Sequence, residues 1–159
     1  MLLYKRVCLA LGCLFMTSCA SSAREPSTVT VVMPESFRGE IYITENKQTG
    51  QDWRKGDVVV PASGIAAVND LAGLATIAPD EFRAKYSNGK KLGNSVLRTG
   101  KEVSLWPVTY LKNELLYFVV GTWDEKTDRE NEKMNGDWKK VIASIKAGSA
   151  KPTGTGPQK

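Results

Sequence analysis

Side chains that could carry out chemistry are scarce in this 159-residue chain, which has no histidine and three cysteines. Without histidine, the Ser-His and Cys-His pairs of nucleophilic catalysis and the commonest transition-metal ligand are excluded. All three cysteines lie in the first nineteen positions, so the rest of the chain offers no thiolate for zinc, copper or iron–sulfur binding. We therefore expect no metal and no cofactor. An enzyme here would depend on carboxylates or on a Ser/Lys pair.

One Ser/Lys pair, Ser87 and Lys90, has the S-x-x-K spacing of penicillin-binding proteins. In that motif the serine stands at a helix start, whereas Asn88-Gly89 predicts a type I′ hairpin turn here, and no S-D-N or K-T-G accompanies it. The carboxylate pairs Asp80-Glu81 and Asp124-Glu125 are chain neighbours at predicted element ends, where exposed acids are ordinary. We predict no catalytic residue and no enzymatic activity. A carboxylate- or Ser/Lys-dependent hydrolase is the alternative, favoured if two carboxylates line a pocket.

The first eighteen residues have the layout of a secretory signal peptide. Lys5 and Arg6 precede an uncharged run of about 10 residues, and small residues follow it. That run is far shorter than the roughly 20 residues of a membrane-spanning helix. The next stretch, Met16-Thr17-Ser18-Cys19, resembles the lipobox of bacterial lipoproteins, although Met16 stands where leucine is usual.

The resemblance implies cleavage before Cys19 and a diacylglyceryl thioether on its sulfur. Cleavage at Cys13 would leave too short an apolar run, and Cys8 lies beside the basic residues. We therefore interpret both as small apolar residues of the signal peptide. Acyl chains contribute about 0.8 kcal/mol per buried CH₂, and a second chain makes anchoring stable. The predicted location is the bacterial cell envelope, facing the periplasm if the cell is Gram-negative, with the membrane as partner through Cys19. Conventional cleavage without a lipid is the alternative.

Charge and composition argue against a nucleic-acid partner. Removal of the signal peptide leaves 20 basic and 17 acidic residues, a mild formal charge of +3. The basic residues are interspersed with acids and form no cluster with interleaved aromatics. The remaining partner classes are an envelope protein or a glycan.

After a polar tether over 19–28, short β-branched and aromatic runs alternate with turn signals about ten residues apart. This pattern predicts a mainly β fold, a small antiparallel β-sandwich-like domain over 29–147 with one C-terminal α-helix. A disordered tail over 148–159 follows. The predicted strands are 28–34, 40–44, 57–60, 64–68, 82–86, 102–111 and 114–122. We expect 71–80 to be a loop, with a short helix from Pro79 as the alternative to the strand at 82–86.

The C-terminal helix is predicted from a change of hydrophobic period after Gly121. Thr127 to Glu130 fits a capping box, Gly136 could divide the helix, and Gly148 is a plausible stop. One apolar stripe, expected to cover an open face of the sheet, consists of Met134, Trp138, Val141, Ile142 and Ile145. The tryptophans are expected in or beside the core, with a sugar or peptide groove as the alternative; they are Trp53, Trp106, Trp123 and Trp138.

Three stretches, 33–43, 60–65 and 117–122, resemble small bacterial lipoproteins that carry an uncharacterised β-rich domain. In that pattern Pro34 and Gly39 bracket a turn between strands, Ser63-Gly64 closes a second turn, and Gly121 ends a late strand. The resemblance implies export and a β-fold, and it implies no mechanism. The sequence therefore predicts a lipid-anchored envelope lipoprotein whose domain binds a partner or supports the envelope.

Overall fold

Two β-sheets and a layer of helices build the fold, which a computed structural model describes for residues 28–94, 101–111, 114–134, 136 and 138–148. The strands are β1 (Val29–Met33), β2 (Gly39–Glu45), β3 (Val58–Val59), β4 (Ile65–Val68), β5 (Phe82–Tyr86), β6 (Gly93–Asn94), β7 (Ser104–Leu111) and β8 (Leu115–Gly121). The helices are α1 (Leu71–Leu74), a 3-10 turn (Pro79–Glu81), α2 (Trp123–Met134) and α3 (Trp138–Lys146). The predicted mainly β domain with C-terminal helical structure is confirmed.

Strand direction differs from the antiparallel arrangement that we predicted. The smaller sheet has the order β3-β1-β5 and is parallel throughout. The larger sheet has the order β4-β2-β8-β7-β6, in which only the β2–β8 and β7–β8 pairs are antiparallel. The reason is that β1 to β5 alternate between the two sheets. Strands that follow one another therefore do not pair. Instead, β1 pairs with β3 and with β5, and β2 pairs with β4, each pair running in the same direction.

The main core lies between the sheets and follows from the period-2 burial of their strands. Val29, Val31 and Met33 point inward from β1, and Ile41 and Ile43 point inward from β2. A second apolar cluster lies on the other face of the larger sheet, under the helices. All buried members of both clusters come from residues 29–145, so a chain beginning at residue 20 retains every described core contact.

The predicted turns form where the sequence places them. A turn over Pro34 to Gly39 links β1 to β2, and Ser36 within it has a positive φ of 61°. Gly64 closes the second turn with φ +71°, and a Cβ there would lie 2.3 Å from the Glu40 carbonyl oxygen, so only glycine fits. The Asn88-Gly89 turn also forms, with the Gly89 N–H donating to Tyr86 O at 2.9 Å.

The turn at Asn88-Gly89 is not the type I′ turn that we predicted. Gly89 has φ +87° but Asn88 does not have a positive φ, and the Tyr86 N–H donates to Lys90 O. This is a three-residue loop with a glycine bulge. After the loop, the Leu92 N–H donates to Ala84 O and β6 pairs with β7. Residues 90–94 thus connect β5 of the smaller sheet to β7 of the larger sheet.

The outer edge of β3 is covered by a side chain. The amide of Gln51 donates to Val59 O at 2.8 Å and accepts from Val59 N at 2.7 Å. The amide thereby takes the place of a neighbouring strand at that residue. This satisfies the backbone groups that an exposed edge would offer to another chain.

The C-terminal helix begins earlier than the predicted capping box at Thr127. The Thr122 N–H donates to Glu125 Oε2 at 2.7 Å, and the Glu125 N–H donates to Thr122 Oγ1 at 3.4 Å, which is a capping box for α2. The box that we predicted is wrong, because Thr127 lies inside the helix and its hydroxyl donates to Trp123 O. Helices α2 and α3 are separate around Gly136, and Gly148 follows α3 with φ +66°.

The segment 71–80 is more regular than the loop that we expected. Asp70 caps the short helix α1 by accepting from the Gly73 N–H at 2.9 Å. The strand at 82–86 and a short helical turn from Pro79 both form, although they were predicted as alternatives. The predicted strands β7 and β8 also form, while the residues that join them, 112 and 113, lie outside the described residues.

Candidate functional site

A buried carboxylate on the helical face of the larger sheet is the most distinctive chemical feature of the described residues. Glu40 is the second residue of β2, and its side chain is 3% exposed. Ile41 and Ile43 point into the main core, so the alternation of a strand directs Glu40 and Tyr42 to the opposite face. That face is covered by α2 and α3. A charged group there is costly unless it is paired and hydrogen-bonded.

Two tyrosine hydroxyls satisfy the carboxylate. Tyr42 donates to Glu40 Oε2 at 2.8 Å and Tyr117 donates to Oε1 at 2.8 Å. Tyr117 comes from β8, where the register places it directly opposite Tyr42. The two rings stack with centroids 5.3 Å apart. Each oxygen of the carboxylate therefore has a phenol donor that the sheet itself positions.

Helix α2 supplies the balancing positive charge. Lys133 Nζ lies 3.2 Å from Glu40 Oε1, with 19% of the lysine side chain exposed. The same ammonium lies 5.9 Å from the centre of the Tyr42 ring. Because Lys133 stands at the end of α2 and Glu40 at the start of β2, this ion pair attaches the helix to the sheet. We call Glu40, Tyr42, Tyr117 and Lys133 the Glu40 network.

The tyrosines of the network are held in their neutral form. Burial raises the pKa of both Tyr42 and Tyr117 well above the ordinary value of 10.0, and the charge of Glu40 and its hydrogen bonds raise the pKa further. The hydroxyls are therefore hydrogen-bond donors and not nucleophiles. In this arrangement the network fixes a carboxylate in place, and the sheet and α2 shield it from solvent.

The raised tyrosine pKa values predict alkaline destabilisation. Unfolded tyrosines ionise near pH 10, whereas Tyr42 and Tyr117 stay protonated in the fold. Their contribution is thus fully present below about pH 10, and the free energy of unfolding falls as the pH rises above it. Urea titrations at about pH 8 and about pH 11 measure the decline. The double variant Tyr42→Phe/Tyr117→Phe should decline less steeply, and an equal decline would assign the effect to other groups.

Sequence reasoning missed the Glu40 network. The alternating pattern identifies Glu40 only as a strand residue, although a signal for the network is present. It shares its strand face with Tyr42, two residues on, and an acid on the face of a half-buried strand that carries a large aromatic needs a partner. Lys133 could not be found in this way, because it lies 93 positions further along the chain.

A second polar cluster joins the start of α2 to the turn between the sheets. Arg38 Nη2 donates to Glu125 Oε2 at 2.6 Å, and Glu125 also accepts from the Thr122 N–H. Partial burial acts to raise the pKa of Glu125, but the Thr122 N–H and the Arg38 guanidinium outweigh it and the pKa lies below its ordinary value. Glu125 therefore serves as a helix cap in an ion pair.

The candidate residues from the sequence do not come together in one site. Cys19 lies outside the described residues. Ser87 and Lys90 are exposed on the hairpin loop, as expected from Asn88-Gly89. The pair Asp80-Glu81 lies in the 3-10 turn, where Glu81 accepts from the Ala78 N–H at 3.3 Å, and Asp124-Glu125 lies in the first turn of α2.

The tryptophans follow the expectation with one exception. Trp53 and Trp106 are buried, and their indole N–H groups donate to Asp70 O and Gly121 O. Trp138 is partly buried against Tyr117. Trp123 is 39% exposed, with its ring against Trp106 and the Lys126 ammonium 4.9 Å from its centre.

A shallow groove of about 420 Å³ lies between the end of α3 and the edge of the larger sheet. Its lining includes the carboxylates of Glu45 and Glu114. Glu114 is paired with Lys146 at 3.8 Å, and Glu45 lies 3.8 Å from Lys47 and accepts from the Leu71 N–H.

Within the described ranges, no group of three or more His, Cys, Asp or Glu side chains could hold a metal ion. Over those ranges no helix is long and apolar enough to cross a membrane.

Comparison with known proteins identifies no family. No family model and no curated protein matches the chain. A solved structure titled "Putative Lipoprotein from Bacillus anthracis" aligns with 60% of this chain and 69% of its own at 15% identity and a TM-score of 0.31. At this distance the likeness assigns neither fold nor function.

Proposed function

We propose that this chain is a lipid-anchored bacterial envelope lipoprotein whose β-rich domain is a non-enzymatic binding or structural module. The anchor rests on the Met16-Thr17-Ser18-Cys19 stretch after the short apolar run. The partner of the domain would be an envelope protein or a glycan. The lipid on Cys19 would attach the protein to the membrane, and the domain would catalyse no reaction.

The geometry of Glu40 carries the non-enzymatic part of the proposal. A catalytic carboxylate must meet a substrate, yet this one is 3% exposed and both of its oxygens accept phenol hydrogen bonds. Lys133 from α2 also lies against it, at 3.2 Å. These contacts support a role in holding the helical layer on the sheet.

Substitution of Cys19 by serine should abolish acylation. The thioether needs a sulfur, so the full chain should incorporate a labelled fatty acid and fractionate with membranes, whereas Cys19→Ser should do neither. Cys13→Ser is the matched control, because it removes a cysteine from the same segment but should label like the wild type. Absence of label in the wild type, or equal label in the Cys19→Ser chain, would overturn the anchor.

The hydrolase alternative is favoured by the groove between α3 and the sheet, because two carboxylates line it. Against it, Glu45 and Glu114 are each engaged by a cation or a backbone N–H. The test is hydrolysis of envelope glycan or peptide substrates by the wild type and by Glu45→Gln and Glu114→Gln. Turnover that both variants lose, and that the exposed-site control Glu35→Gln keeps, would establish the enzyme.

A further inference from the structure

The outer face of the smaller sheet is turned to solvent in the described part of the chain. Along β1 and β5 burial alternates, so Thr30, Val32, Arg83 and Lys85 point away from the core. Val59 points outward from β3 and is 55% exposed. The helices pack elsewhere, since α3 covers the larger sheet and the buried leucines of α1 belong to the main core.

Strand register arranges this face into an apolar half and a cationic half. Val32 is aligned with Val59 on one side and with Lys85 on the other. An antiparallel bridge places Lys91 opposite Lys85, and residues so paired share a face. Arg83 shares that face because it lies two residues from Lys85 on the same strand. We call Val32, Val59, Arg83, Lys85 and Lys91 the outer patch.

The outer patch carries more positive than negative charge. Lys85 is paired with Asp57 at 2.6 Å, and the Arg83 guanidinium donates to the backbone carbonyl groups of Asp80 and Phe82. Lys91 is exposed. Like charges directly opposite each other on neighbouring strands repel. Asp57 balances one of the two charges of the Lys85–Lys91 pair, so the pair keeps a net positive charge that can attract a further anion.

The short segment between Cys19 and β1 indicates that the membrane surface is the anionic partner near this face. Residues 20–28 separate Cys19 from β1, and a linker of that length with the flexibility that this polar composition predicts would span about 15–18 Å on average. Because β1 is the central strand of the smaller sheet, an acylated Cys19 would hold this sheet close to the lipid surface. Anionic headgroups attract nearby lysine and arginine side chains.

We propose that the outer patch docks the domain on the anionic phospholipid surface of the membrane that holds its anchor. The argument from tether length rests on the function proposed above. The cations contact headgroup phosphates, and Val32 and Val59 face the boundary between headgroups and acyl chains. Docking in this way leaves the helical layer on the opposite side, directed away from the membrane.

The test uses a chain of residues 20–159, which lacks Cys19 and retains the described core. It is sedimented with vesicles of phosphatidylcholine alone and with vesicles that also contain phosphatidylglycerol. We expect binding only to the anionic vesicles, weakening as salt is added because charges at a surface are screened. Equal binding to both vesicle types, or no binding to either, would overturn the proposal. The acylation test uses the full chain, so anchor and docking can fail separately.

Two pairs of substitutions locate the docking face. Lys85→Glu/Lys91→Glu should lower the partition onto anionic vesicles by at least about tenfold. Lys139→Glu/Lys140→Glu makes the same change of net charge on α3 and should leave most of the binding. If the α3 pair loses as much binding as the first pair, the attraction is not specific to the outer patch. Lys91→Glu alone, at an exposed position, should lower the partition severalfold, and unchanged binding by this folded variant would also contradict the proposal.

Discussion

Replacing Glu40 with alanine should lower the free energy of unfolding by about 3–5 kcal/mol. The substitution leaves the phenols of Tyr42 and Tyr117 without their common acceptor and leaves the Lys133 ammonium, 19% exposed, without its carboxylate. Removing one partner of a buried pair is costly because the remaining charge stays desolvated. Urea titration of a chain of residues 20–159, at neutral pH, measures the change.

The matched control for this substitution is Glu45→Ala on the same strand. The Glu45 side chain is 34% exposed, and both its ion pair with Lys47 and its hydrogen bond from the Leu71 N–H are long, at 3.8 Å and 3.4 Å. We therefore expect a loss below about 1 kcal/mol. The double variant Glu40→Leu/Lys133→Met replaces both charges with apolar groups and should recover part of the lost stability. A Glu40→Ala protein as stable as the wild type would show that the Glu40 network does not hold α2 on the sheet.

Truncation of Trp138 should have the second largest effect. Its ring packs edge-on against Tyr117 with centroids 5.5 Å apart, and its neighbours on α3 complete the cluster under the helices. Truncating a tryptophan in a core costs about 3–5 kcal/mol, and partial exposure places Trp138→Ala near the lower end. Against a total stability of about 5–15 kcal/mol, the urea midpoint should fall strongly.

Lys139→Ala serves as the control for Trp138→Ala, because Lys139 is exposed on the adjacent position of α3. We expect its urea midpoint to stay close to that of the wild type. The result for Trp138→Ala also tests whether the apolar stripe of α3 belongs to the core. If Trp138→Ala unfolded like the wild type while the full chain lost a membrane or protein partner, the stripe would be an interaction surface.

The apolar stripe is the part of the helical layer that sequence predicted well. The spacing of Met134, Trp138, Val141, Ile142 and Ile145 predicts one helix face. The structure places the last four, all on α3, against the larger sheet, whereas Met134 ends the separate helix α2. The start of the helix was not predicted, because Thr122–Glu125 and Thr127–Glu130 both fit a capping box. Only the packing of Glu125 against Arg38 distinguishes between them.

The Glu40 network could be predicted only in part. Alternation along β2 places Glu40 and Tyr42 on one face, and that follows from sequence alone. The Glu40 carboxylate is also bound by Tyr117 and Lys133, which β8 and α2 bring from distant parts of the chain. A sequence pattern reports which side of a strand a residue occupies, but it does not report what is packed against that side.

The sequence by itself determined the exclusion of histidine and thiolate chemistry from the domain, the positions of most strands and turns, and the apolar face of the last helix. These depend on residue types and on local periods, which neighbouring positions settle. Only the tertiary structure decided that β1 to β5 alternate between two sheets, that their pairs are parallel, and that the outer patch brings Lys85 and Lys91 together. Period-2 alternation fixes which face of each strand is buried, but it does not fix the partner strand. Strand pairing therefore depends on how the two sheets together bury their apolar faces.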